Sequence, residues 1–534
     1  MTYEDPKILA LFSRLLEAGK LEHAKFFCEE LANKRPEHAL TWYLTSIFCL
    51  VNKQLNQALH FALKSTKIAP NEPKYICQVA KCYLFQNSLK KALEYAEHAR
   101  SMKPSSGEDL DTLGNIFSRC QRQELALEMF EEAVSKTKDN PSILYNLATS
   151  YRFLGNNKMS ERTFSKVIKL KPLDYEAVLA RSMLETQTKE QNHILELENN
   201  LSQYSMGLDC KIGYHYALAK ELEDIKVYKK SFSHLKRGAD LKANNMNYNF
   251  EAELNNIEKI INVFSNDSSK SISSNRKSDA IQSSRNKTPV FVMGLPRTGT
   301  TLVERILSSH SKISTIGESM AFPQELTKEL GRYSGSSIAG QIVPPQHCLD
   351  IDFELIGNQY LNRVGELSIQ HDLFVDKLPL NFLNIGYIAS ALPNAKMILV
   401  RRNPMDSCYS IYKSLFNNGY YFSYDLESIA KYYVAFNKLI SFWNARYSGQ
   451  ILIINYEELI GKTTDTIKLL IDYCGIDWEN DCLNFHQNKS ASITASASQV
   501  RKPIYSSSVL NWRNYEEELV QVKDILDMNG IEYE

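Results

Sequence analysis

The stretch "VFVMGLPRTGTT", Val290 to Thr301, sets the reading of the chain. An apolar run ends at Gly294, a short turn closes at Gly299, and two threonines can open a helix. This is the outline of a strand, a phosphate-holding loop and a helix. A glycine in such a turn lets successive backbone N–H groups point inward, and the helix adds the positive end of its dipole. The spacing from Gly294 to Gly299 matches that of nucleotide triphosphatases, yet Thr300 stands where their lysine reaches the β- and γ-phosphates. Arg297 supplies a fixed charge with several N–H donors, and Thr300 and Thr301 supply hydroxyls. The loop suits a terminal phosphate-like group, and triphosphate hydrolysis is the weaker reading without the lysine or an acidic magnesium ligand ending a strand.

Working outward, short apolar runs alternate with amphipathic stretches from Thr288 onward. Strands are expected at 290–294, 373–376, 395–400 and 451–455, with helices at 300–309, 381–391, 404–416 and 456–474. Apolar strands separated by helices imply a mostly parallel sheet covered on both faces, and such sheets bind ligands beyond the carboxyl ends of their strands. Those ends carry Lys377, Arg401, Arg402 and Tyr456, with Ser410 one helical stretch past the arginines. Each alone reads as a solvated or packing residue. Together with Arg297 they describe an anion pocket with two separated charge centres.

At these residues the chain resembles the sulfotransferases that use 3′-phosphoadenosine 5′-phosphosulfate (PAPS), and most closely the branch of tyrosylprotein sulfotransferases and their bacterial relatives with tetratricopeptide repeats. The resemblance covers about 288 to 515 and rests on four motifs in order: "GLPRTGTTLVERIL", "VRRNPMDSCYSIY", "NYEEL" and "SASQVRKPIYSSSVLNW". It implies a P-loop-like α/β fold with a parallel central sheet. It also implies that Pro296, Arg297, Thr298, Gly299, Thr300 and Thr301 hold the 5′-phosphosulfate, that Arg402 and Ser410 hold the 3′-phosphate, and that Tyr456 helps hold the nucleotide. A phosphosulfate has no β/γ pair for a lysine and magnesium to bridge, so the resemblance accounts for Thr300 and implies no metal. Glu318, in "STIGESMAF", takes the position of the branch's catalytic glutamate, the general base; the residues alone would favour an ion-paired or capping carboxylate. Lys377 aligns with the lysine that stabilises charge on the leaving oxygen, Arg297 would stabilise the sulfuryl group, and Ser496 matches a transition-state serine, with Ser498 close enough to compete for that role. Arg501 and Lys502 are expected near the phosphates. One departure is Asn511, where the branch often has a basic residue before the tryptophan. His310, His347, His371 and His486 sit in no motif that supports a histidine base, and packed or exposed roles fit them better.

The N-terminal half repeats. Ala24, Ala58, Ala92 and Ala126 are spaced by 34 residues, Ser160 falls at the next step, and Pro36, Pro70, Pro104 and Pro172 share the period. Small residues recur in phase at Ser46, Ala80, Gly114 and Ala148, and the pattern resembles the tetratricopeptide repeat over roughly residues 5 to 175. A degenerate unit is expected over Tyr214 to Lys242, with Ala219 and Ser231 in the small slots. Stacked repeats form a solenoid with a concave face for a peptide or protein, for a second copy of the chain, or for support alone. The expected organisation is a helical solenoid over 1–264, a Ser-rich linker over 265–287 and a PAPS-dependent sulfotransferase domain over 288–534.

Composition limits the alternatives. Lysine plus arginine equals aspartate plus glutamate at 62 each, so any anion site is a local arrangement and nothing favours nucleic acid. No apolar run approaches the roughly 20 residues of a membrane span, and the start of the sequence lacks the features of a secretory signal. Ten scattered cysteines without metal spacing read as reduced thiols in a cytoplasmic protein. The expectation is sulfuryl transfer from PAPS to a hydroxyl of a protein tyrosine, glycan or small molecule. Another P-loop enzyme (kinase or NTPase), or a repeat-based adaptor with a non-catalytic nucleotide domain, are the competing readings. The repeats favour a polymeric acceptor, protein, peptide or glycan, in their groove.

Overall fold

The computed structural model describes residues 5–266, 287–334, 351–365, 369–416, 419–488, 490 and 499–533. It divides into two compact units, Met1–Lys171 and Pro172–Glu534. The first consists of helical hairpins in series, from Asp5–Glu17 to Asn157–Leu170. The residues that repeat in the sequence are those between paired helices. Ala24, Ala58, Ala92 and Ala126 are fully buried, as are Ser46, Ala80 and Ala148. Gly114 has no alternative, because a Cβ there would lie 2.5 Å from the Phe130 ring. Where the small residue is serine, its hydroxyl stays satisfied on the facing helix: Ser46 donates to Ala58 O (2.7 Å) and Ser160 to Ala148 O (2.8 Å).

The second unit contains a five-stranded, fully parallel sheet: β1 (Thr288–Gly294), β2 (Ile313–Thr315), β3 (Leu373–Lys377), β4 (Lys396–Arg401) and β5 (Ile451–Asn455), in the order β2-β3-β1-β4-β5. Four strands lie where the apolar runs predict them. β2 was not among the expectations, being three residues long and without an apolar run. Alternation assigns each strand residue to a face. Phe291, Met293, Phe374, Met397 and Leu399 enter one core, while Val290, Val292, Val375, Ile398 and Val400 enter another. The second core is closed by Val303, Ile306 and Leu307 of the helix Thr300–Leu307 and by Ile467, Leu470 and Ile471 of Thr463–Cys474.

The first core corrects the expected domain boundary. Ile212, Tyr216, Phe232, Leu235, Ile257, Ile260 and Phe264, expected to belong to a solenoid ending at 264, share one core with the sheet and its helices. Phe264 lies edge-on to Tyr387 (5.1 Å) and Trp443 (5.0 Å). The expected degenerate repeat is nonetheless a helical hairpin, Leu208–Asp224 and Tyr228–Ala243, joined as the others are: Ser231 donates to Ala219 O at 2.6 Å. Most of the expected linker lies outside the described residues, and the helix Phe250–Asn266 runs into its start. Among the described residues, nine cysteines are unpaired and no helix is long and apolar enough to cross a membrane.

Candidate active site

β1 occupies the switch point of the sheet, with β3 on one side and β4 on the other, so loops leave its carboxyl end between two neighbours. Gly294 pairs with Val400, Val292 with Lys377, and Arg401 with Asn455, which puts the loop after β1, Lys377, the Arg401–Arg402 pair and Tyr456 on one rim.

The loop after β1 is under local constraint. Arg297 has φ of +68°, a left-handed conformation that an L side chain adopts at a cost of order 1–3 kcal/mol. Gly299 has φ of +103°, and a Cβ there would sit 2.6 Å from Tyr456 Cδ2. Thr298 folds back to donate to Leu295 O (2.7 Å), while Thr300 opens the helix and is buried. Strain of this kind, held by surrounding packing, gathers where a backbone must present its N–H groups in one direction.

Arg402 is the hub on the β4 side. Its Nη1 donates to Arg297 O (3.0 Å) and to Ser410 Oγ (2.9 Å), and its Nη2 donates to Ser508 O. The guanidinium lies 5.0 Å from the Tyr456 ring centroid, and Tyr456 OH is 2.8 Å from Ser508 Oγ. Arg402, Ser410 and Tyr456, separated in sequence, are therefore neighbours. Burial, and next the Arg402 charge, hold the Arg297 guanidinium below its ordinary pKa. Arg297 also donates to Gln499 Oε1 at 3.2 Å.

On the β3 side, Lys377 is fully buried and ion-paired with Glu318, whose side chain is 49% exposed. A second carboxylate, Glu304 on the helix after the loop, lies 3.7 Å from the same ammonium and accepts from Thr315 Oγ1 at 2.7 Å. Burial pushes the Glu304 carboxyl up, with Lys377 and Thr315 opposing and Glu318 adding to the rise. Behind Lys377, burial pushes Asp376 up to about 8 although Tyr360 OH donates to it at 2.9 Å.

The other expected residues separate. Ser496 and Ser498 lie outside the described residues, as does His347. Arg501 Nη2 donates to Ser490 O (3.1 Å), which also accepts from Arg305 Nη1 (2.6 Å), and Lys502 is exposed. Asn511 donates to Glu223 Oε1 at 3.0 Å. Both ring nitrogens of His310 are engaged by backbone: Lys312 N–H donates to Nδ1, so Nε2–H donates to Asp477 O. Sequence reading missed Glu304, Thr315 and Ser508. For Glu304 the sequence shows a carboxylate in "TTLVERIL", next to Val303 and shortly before the apolar Ile306 and Leu307, but not the lysine that pairs with it.

With this geometry in view, residues 289–480 match the family described as the sulfotransferase family. The C-terminal unit carries a sulfotransferase domain. Residues 141–172 match the tetratricopeptide repeat. An uncharacterized protein of Aquifex aeolicus is 30% identical over 409 residues, 75% of this chain and 52% of its own length, so the chain spans about half of that relative. A putative protein-tyrosine sulfotransferase of Caenorhabditis briggsae is 27% identical over 229 residues, 42% of this chain and 80% of that protein. Among solved structures, the sulfotransferase domain of the Synechococcus PCC 7002 olefin synthase covers 48% of this chain and 98% of its own, at 19% identity and a TM-score of 0.34. Within the sulfotransferase domain, the matched span contains the β1 loop, Glu304, Glu318, Lys377, Arg402, Ser410 and Tyr456.

Proposed function

We propose that the sulfotransferase domain moves the sulfuryl group of PAPS to a hydroxyl of a protein, peptide or glycan acceptor. The observation that carries this reading is the bond from Arg402 to Ser410 on one side and to the Arg297 carbonyl on the other, which ties a second anion site to the β1 loop. Three features fit a bisphosphorylated adenosine. Two guanidinium groups crowd each other, a cost that a bound anion relieves. Arg402 Nε is buried without a hydrogen-bond partner. Gly299 leaves its backbone open to close approach where any side chain would strike Tyr456.

When bound, the donor supplies the sulfuryl group. Loop N–H groups, Arg297, Thr300 and Thr301 would hold its 5′ end, with Arg402 and Ser410 at its 3′ end. Glu318 is half exposed and so can meet an acceptor hydroxyl while it stays paired with Lys377. As the acceptor oxygen bonds to sulfur, its proton passes to Glu318. The bond from sulfur to the bridging oxygen breaks, and its electron pair stays on the phosphate, where the Lys377 ammonium offsets the charge. Arg501 and Lys502 would act near the phosphates. The repeats would offer an extended surface to a polymeric acceptor, and the name of the Caenorhabditis briggsae relative supports a protein as that acceptor.

The test is radiolabelled PAPS with panels of peptide, glycan and phenol acceptors, comparing wild type with Glu318→Gln. The substitution should leave adenosine 3′,5′-bisphosphate affinity within about twofold and lower turnover by about 10² or more. Equal turnover in the two proteins would remove Glu318 from the role of base. No transfer by wild type to any acceptor class would count against the function itself.

A further inference from the structure

Lys377 has two carboxylates, and the reaction accounts for one. Glu318 is half exposed and takes a proton during turnover, so its charge is lost while Lys377 must still point at the leaving oxygen. Glu304 differs in every respect. Its side chain is 11% exposed, and it stands 3.7 Å from Lys377 Nζ while accepting from Thr315 Oγ1 at 2.7 Å. Thr315 Oγ1 in turn accepts from Gly317 N–H (3.1 Å), and Gly317 O accepts from Lys377 N–H (3.0 Å). Carboxylate, threonine, glycine backbone and lysine thus close a ring that joins the phosphate-loop helix, the end of β2 and the end of β3. The other charged groups around it are Asp376, behind Lys377, and Arg305, next along the helix from Glu304. Tyr420 is near Glu318, whose charge adds to the upward shift that burial imposes on the phenol.

A carboxylate buried to this extent is costly unless paired, and a Gln or Leu at 304 would fill the space without that cost. We infer that Glu304 is a positioning residue for sulfuryl transfer: anchored by Thr315, it fixes the Lys377 ammonium and remains its counter-ion when Glu318 is protonated. This rests on Lys377 acting at the leaving oxygen, as proposed above. Glu304 touches neither substrate and acts only through Lys377.

The experiment is a double-mutant cycle on the full chain, with radiolabelled PAPS and whichever acceptor class wild type uses. Glu304→Gln keeps the shape and the Thr315 hydrogen bond but removes the charge. It should lower kcat by about 10²-fold, the scale of a displaced catalytic group, with the KM for PAPS and the affinity for adenosine 3′,5′-bisphosphate little changed. In a Lys377→Met background the same substitution should cost no further activity, because its effect passes through the missing ammonium. Thr315→Val should reproduce part of the loss, and Thr315→Ser, which keeps the hydroxyl, should restore it. These two also decide the matter if Glu304→Gln is poorly folded. Wild-type kcat in Glu304→Gln and Thr315→Val, or equal losses with and without Lys377, would overturn the inference while leaving the function standing. A wild-type protein that binds the bisphosphate but transfers nothing would overturn both.

Discussion

Replacing Arg402 by alanine separates the contacts it makes in the structure from the role proposed for it. The contacts are structural: its guanidinium ties Arg297 O, Ser410 Oγ and Ser508 O together and stacks on Tyr456. Removing it frees two backbone carbonyls that water can reach once the side chain is gone, so each lost bond costs about 1 kcal/mol, and any adenosine nucleotide held by the loop loses up to about tenfold in affinity. The proposed role is recognition of a 3′-phosphate, where a charge-assisted bond is worth about 1.5–3 kcal/mol. One such bond is a further factor of about 10 to 150, and a bidentate contact more. Arg402→Ala should therefore weaken adenosine 5′-monophosphate by about tenfold or less and adenosine 3′,5′-bisphosphate by a further factor of about 10 to 150. Titration calorimetry with both nucleotides on both proteins measures the difference, and thermal unfolding without ligand isolates the structural share. Arg402→Lys should fall between, because a single ammonium cannot bridge Arg297 O and Ser410 while also meeting a phosphate. Equal losses for the two nucleotides would refute the assignment of the 3′ site, and with it the observation on which the function rests.

Two further outcomes test the frame of the site. Gly299→Ala meets both a left-handed backbone and the Tyr456 ring 2.6 Å from the added carbon, so it should lower the stability of the second unit by about 2–4 kcal/mol and abolish tight nucleotide binding; unchanged denaturant midpoint and affinity would contradict the loop geometry. Asp376, pushed up to about 8 chiefly by burial, holds a proton in the folded state that the unfolded chain has released above the ordinary carboxylate range. Its contribution to stability is therefore present at low pH and declines as pH rises toward 8, by at most about 1.4 kcal/mol per pH unit. Asp376→Asn should flatten urea midpoints across that window, whereas parallel profiles for variant and wild type would mean Asp376 does not titrate there.

What the sequence disclosed follows from which constraints are local. Strand ends were readable because an apolar run must stop where the sheet ends, and Lys377, Arg402 and Tyr456 stand at or just past such stops. The repeat was readable because helices that approach closely admit only Ala, Ser or Gly at the contact, as Gly114 against Phe130 makes plain. β2 was not readable, since three residues at a sheet edge need no apolar signature. Glu304 and Thr315 escaped for a different reason. Their chemistry exists only once Lys377, far along the chain, arrives beside them, and no window of sequence contains both.

The misplaced domain boundary makes the same point from the other direction. Ser231 and Ala219 meet as Ser46 and Ala58 do, so the small residues specify a hairpin and say nothing about what covers its outer faces. The cover is decided by other residues. Tyr515 OH donates to Ser231 Oγ (3.3 Å), and Phe232 packs against Tyr412 and Tyr515. Glu223 accepts from Tyr409 (2.7 Å), Lys413 (2.8 Å) and Asn511 (3.0 Å). Burial opposes its ionisation, yet the Lys413 charge and these three donors hold its carboxyl below the usual range. A buried carboxylate with donors from Tyr409, Lys413 and Asn511 is costly to separate from them, which makes this hairpin part of the second unit rather than the last turn of a solenoid. Asn511 then has a reason to differ from a basic residue: its side chain is committed to Glu223, and a phosphate contact from that position is not required to explain it.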